Sequence, residues 1–177
     1  LSNMLGISLR VSEPELSALD VSQIPLIFGG SQKILTGIYL GFHADNVPQD
    51  NPISYNGHLL LTFKIDSAYE MISILTEGLA VPLDELAKIT DSIFSEIGNV
   101  FGASFISALS NSVGIRILVT VPSVINYRSN AILEFLHSKK KEKDGCALLI
   151  KTHLFVEDNS IEGAFILIPE DYRSLLL

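Results

Sequence analysis

Residues 1-LSNMLGISLRVSEP-14 align without a gap to 109-LSNSVGIRILVTVP-122, and half of the fourteen pairs are identical. The identities are Leu1/Leu109, Ser2/Ser110, Asn3/Asn111, Gly6/Gly114, Ile7/Ile115, Val11/Val119 and Pro14/Pro122. A weaker echo sets 57-GHLLLTFKI-65 against 163-GAFILIPED-171. One internal match at one large offset implies two related halves rather than a long repeat array. The chain therefore reads as a single domain over 1–177, with a first half of about 1–80 and a second of about 81–177. The offset puts the first-half counterpart of the segment before Leu109 upstream of Leu1. We therefore expect a truncated N-terminal helix, and a second site upstream if that helix carries the same polar residues.

That preceding segment, 84-DELAKITDSIFSEIGNVFGASFISALSNS-112, carries the strongest functional pattern. Ser92, Glu96 and Asn99 form S-x3-E-x2-N, and Pro122 follows Asn99 after 22 residues. At about 100° per residue the three polar side chains fall within roughly 60° on one helix stripe. Pro82 is placed to start this helix. Its apolar residues Leu86, Ile93, Ile97, Val100, Phe101, Ala108 and Leu109 are expected mostly opposite that stripe. Gly98 and Gly102 each cost a helix about 1 kcal/mol, which close packing against a sheet or another helix would explain. Ala103 and Ser110 extend the polar stripe with small side chains.

The four spaced residues resemble the signature [DS]-x3-E-x2-N-x22-P of the CheC/CheX/FliY family of chemotaxis phosphatases, and the duplication is most similar to CheC. The resemblance implies an α+β fold of pseudo-twofold, duplicated form, with long helices packed on an antiparallel sheet. It also implies a cytoplasmic hydrolase acting on the aspartyl-phosphate of the response regulator CheY. In that picture Asn99 orients the attacking water and Glu96 docks on the regulator's lysine, while Ser92 and Pro122 support the motif. Asn suits its task because the amide offers both a donor and an acceptor, and phosphoryl transfer is largely a matter of positioning and charge stabilisation. No cofactor or metal is expected on this chain, the Mg²⁺ belonging to the regulator. The same resemblance admits a flagellar-switch binding module like FliY or FliM, or an adaptor for the deamidase CheD.

Composition narrows the classes. A 47% hydrophobic fraction over 177 residues supports a real core. The net charge of −8 argues against a nucleic-acid surface. The basic run 139-KKKEK-143 reads as a solvated loop between strands. No stretch of about 18 uninterrupted apolar residues suggests membrane insertion. Cys146 is the single cysteine, which excludes an intrachain disulfide and fits a reducing compartment. His43, His58, His137 and His153 lack metal-ligand spacing and read as surface or strand residues. Neither a phosphate-cradling glycine loop nor a G-x-S-x-G elbow is present.

Strands are expected over 7–11, 24–28, 34–42, 58–65, 115–121, 131–136, 146–156 and 163–168, with Gly29-Gly30 as a turn and 43–57 as a loop. A helix capped by Asp66 or Ser67 is expected to run to Glu77 and close at Gly78. A terminal helix is expected from Asp171.

Overall fold

The structure is a computed structural model that describes residues 9–13, 15–45, 47, 53–76, 83–129, 131, 134, 146–156 and 159–171. Among the described residues eight strands make one antiparallel sheet. They are β1 (Leu9–Val11), β2 (Glu15–Asp20), β3 (Ile34–Ala44), β4 (Gly57–Lys64), β5 (Ile117–Val119), β6 (Ser123–Arg128), β7 (Cys146–Val156) and β8 (Asn159–Pro169). The backbone order is β1-β7-β8-β4-β3-β5, with β2 also on β7 and β6 also on β3.

That order is a palindrome. Two short strands flank each end, a long strand follows, and the β8–β4 pair occupies the centre. β1 and β5 begin and end at equivalent places of the 1–14/109–122 alignment, and so do β2 and β6 beyond it. The duplication thus extends past the fourteen residues that show it in sequence. The weaker echo is displaced. Val11 faces Leu154 and Val119 faces Phe42, so Leu154 and Phe42 hold equivalent places. Their neighbours across the next ladder are Ile161 and Gly57. Gly57 therefore corresponds to Ile161, two residues before the Gly163 suggested by similarity, because a shared Gly followed by an apolar run leaves strand register unspecified.

Both faces of the sheet are covered, which is why β4 reads as the near-continuous apolar run HLLLTF. On one face Ile38, Leu40, Leu59, Leu61 and Phe63 pack under α2 (Ile65–Leu75) and a long helix whose first part is α3 (Leu83–Ile97). On the other face Leu35, Leu60, Leu149 and Ile166 pack with Val21, Ile24 and Phe28. Phe63 and Phe94 tie strand to helix, with ring centroids 6.1 Å apart.

Three expectations are corrected. Residues 24–28 are not a strand: a 3-10 turn, Val21–Gln23, leads into α1 (Ile24–Ile27). The Ser22 amide donates to the Asp20 carboxylate at 2.7 Å, Gln23 completes the capping box, and Pro25 sits in the first turn. These signals decide a short apolar run that periodicity leaves ambiguous. Of the expected 131–136 strand the described residues, Ala131 and Glu134, are helical, as is Ser129 directly after β6, where the 3-10 turn follows β2 in the first half; the rest of that segment lies outside the described residues. α2 starts at Ile65 with Lys64 at its N-cap and no side-chain cap, so Asp66 stands inside the first turn, where its charge suits the helix dipole. Strands β2 and β6, too polar to stand out, were not anticipated. Pro82, Gly78, the 139–143 run and the expected terminal helix beyond Asp171 lie outside the described residues.

Two predictions concern this core. Phe63→Ala removes a side chain that is 1% exposed and joins both layers, so denaturant unfolding should show a loss of about 3–5 kcal/mol. The Tyr127 hydroxyl is buried without a hydrogen-bond partner, and burial pushes its pKa well above the usual 10.0. The unfolded phenol loses its proton near that value while the folded one keeps it, so stability falls as pH rises past about 10. Tyr127→Phe should weaken that alkaline limb, leaving the smaller part due to Tyr39, whose pKa burial also raises, and leave neutral-pH stability equal or higher, as thermal melts against pH would show.

Candidate functional site

The long helix is not uniform. α3 ends at Ile97, a π-helical turn spans Gly98–Gly102, and α4 (Ala103–Val113) continues to Gly114, whose φ of 67° closes it in the left-handed C-cap conformation. Ile93, Phe94, Ile97 and Ile106 are buried against the sheet. Ser92 and Asn99 are exposed and Glu96 is half-buried, so the three motif residues lie on the outward side. Val100 (38% exposed) and Ala108 also face solvent, contrary to the expected apolar face, whereas Phe94 and Ile106 belong to the core.

The two glycines explain the seating. A methyl at Gly98 would collide with Ile38 Cγ2 and lie 3.0 Å from Pro122 Cβ; one at Gly102 would lie 2.8 Å from Leu40 Cδ2. The helix backbone thus rests directly on β3. Pro122 enters because the edge of the sheet is interrupted there: β5 ends at Val119, β6 begins at Ser123, and both pair with β3. The Thr120 amide donates to Gly41 O at 2.9 Å, and the Gly41 amide to Thr120 Oγ1 at 2.9 Å. A residue without an N–H is tolerated in such a break. Pro122 therefore packs under Gly98, which immediately precedes Asn99, and the distant fourth member of the motif is a support for the other three.

Ser110 does not continue the polar stripe. Its hydroxyl donates to Ile115 O at 2.6 Å and accepts from the Ile117 amide at 3.3 Å, bracing the turn into β5. Ala103 is exposed, as expected. A cleft of about 360 Å³ opens between α2 and α3 beside Asp91, and another of about 610 Å³ beside Lys33 and Asp66. Glu96 and Asn99 line neither. They stand on the outward side of the helix, outside both clefts, an arrangement suited to a macromolecular surface rather than to an enclosed small molecule. Among the described residues no three His, Cys, Asp or Glu side chains converge as a metal site. His58 is buried within β4, with its Nδ1 3.0 Å from the Tyr39 hydroxyl, a structural setting.

By length and mean hydropathy (1.2) the stretch Glu85–Val113 would also pass for a membrane span. Its apolar character is accounted for by the stripe against the sheet, and the opposite side carries Ser92, Glu96, Asn99, Ser104 and Ser107.

The polar helix stripe, seated by glycines and a proline on a duplicated antiparallel sheet, has its counterparts among proteins of CheC-like fold. The model of the CheC-like family matches residues 89–125, a span that contains Ser92, Glu96, Asn99 and Pro122. No curated protein matches the chain by sequence. Among solved structures, FliY from Thermotoga maritima aligns with a TM-score of 0.69 at 14% identity, covering 99% of this chain and 83% of FliY. The FliM middle domain from a Vibrio species aligns at 0.51 and 12% identity, covering 98% and 87%. The chain thus shares the fold of these proteins, and its motif helix with the strand that follows matches the CheC-like family model.

The seating makes a prediction. Gly98→Ala should cost about 1–3 kcal/mol through overpacking, and Gly102→Ala less, because its contacts are the movable methyls of one leucine. Chemical denaturation of both variants would check the order.

Proposed function

We propose that this protein is a phosphatase for the aspartyl-phosphate of a CheY-type response regulator. The observation that carries the reading is the outward placement of Glu96 and Asn99 on a helix face closely backed by the sheet. An acyl phosphate is already reactive, so a water held in line with phosphorus supplies much of what is needed. The Asn99 amide accepts a hydrogen bond from that water and donates to an oxygen beside it. The Glu96 carboxylate accepts from the ammonium of a regulator lysine and fixes the approach. Ser92, one turn earlier, borders the contact, and Pro122 keeps the backbone beneath it from yielding. The Mg²⁺ arrives with the regulator, and this chain contributes only side chains. A second reading, a flagellar-switch binding module, draws support from the fold likeness to FliY and FliM.

The test is the decay of phosphorylated CheY with Mg²⁺, with and without this chain. Asn99→Ala should reduce the acceleration by about 100-fold with binding retained, and Glu96→Ala should weaken binding about tenfold, or ~1.4 kcal/mol. Unaltered decay in the presence of folded, binding-competent protein would reject the phosphatase in favour of the switch module.

A further inference from the structure

The π turn has a cause that is visible in the apolar pattern. At about 100° per residue, the buried stripe of α3 (Ile93, Phe94, Ile97) and that of α4 (Ile106, with Phe105 and Leu109 partly buried) are out of phase by roughly one residue's rotation. A continuous α-helix could not lay both on the sheet. A turn closed i→i+5 takes up one surplus residue and brings the two stripes into line. Its location matters. Glu96 precedes the turn and Asn99 is its second residue, so Asn99 keeps the outward phase of α3. Counted in the phase of α4, the same residue would lean toward the sheet.

The turn is also wider than an α-turn, which carries the Asn99 Cα outward while Gly98 and Gly102 hold the inner side against Ile38, Pro122 and Leu40. Its carbonyls are re-satisfied locally. The Ala103 amide is shared between Asn99 O and Val100 O, and the exposed Ser104 hydroxyl donates to Val100 O at 2.6 Å.

We propose that the π turn Gly98–Gly102 is a positioning device that sets how far Asn99 projects beyond Glu96, with Ser104 as the side chain that holds its shape. This rests on the phosphatase reading above. Asn99 acts by direction and distance, and a displacement on the order of 1 Å can cost about 100-fold in rate.

Deleting Val100 restores an α-helical residue count, leaves both apolar stripes on the sheet, and retracts Asn99. In the assay with phosphorylated CheY the deletion should lower kcat by about 10- to 100-fold with KM within about threefold and no loss of thermal stability. Val100→Ala separates turn from side chain, so a fall confined to the deletion supports the proposal and an equal fall in both overturns it. Wild-type kcat in the deletion would overturn it too, leaving the turn a packing device. Should the deletion fail to fold, Ser104 decides: a few-fold fall in kcat for Ser104→Ala, restored by Ser104→Thr at unchanged KM, supports the proposal, and no fall overturns it. An inactive wild type would instead defeat the phosphatase reading, and this proposal with it.

Discussion

Backbone-to-side-chain contact between one helix and one strand governs the molecule. Where Gly98 and Gly102 meet Ile38, Leu40 and Pro122, the helix approaches β3 more closely than any residue with a Cβ would permit. Each glycine gives up about 1 kcal/mol of helix propensity. The return is a helix axis with little freedom to roll or slide, since protein interiors transmit small displacements rather than absorb them. On the far side of that contact stand Glu96 and Asn99. Their precision comes less from their own interactions than from what lies beneath them.

Much of this was legible in the sequence. The polar stripe, the buried glycines and the Pro122 spacing each have a counterpart in the structure, because they follow from helical periodicity and from residues with unusual backbone requirements. The long strands β3, β4, β7 and β8 were legible too, being apolar runs long enough to leave no alternative. What failed were short segments. Ile24–Ile27 is apolar but only four residues long, and its helical state rests on a capping box and a proline. Strands β2 and β6 carry too little buried surface for alternation to stand out, and exist because a longer strand offers them an edge.

The π turn occupies a middle ground. Its signal, a slip of one residue in the buried stripe between Ile97 and Ile106, was present, but the eye reads a long amphipathic helix through it. For that reason the periodicity places Val100 on the apolar face, where the structure leaves it exposed, and does not single out Phe94, which is buried. Ser110 misled in another way: its helical position fits the outward stripe, whereas its hydroxyl is used by the backbone of the following turn. Local hydrogen bonding of serine competes with any role read from phase alone.

The divided ends of the sheet have a consequence for the protein in a crowded solution. A long unpaired edge strand is a template for other chains. On the β3 side that border is split between a three-residue and a six-residue strand, with Pro122 in the gap where a donor would otherwise stand and the motif helix resting on the proline. An incoming strand would find a ladder broken after a few rungs. The interruption that seats the helix thus also protects the molecule from adding copies of itself edge to edge.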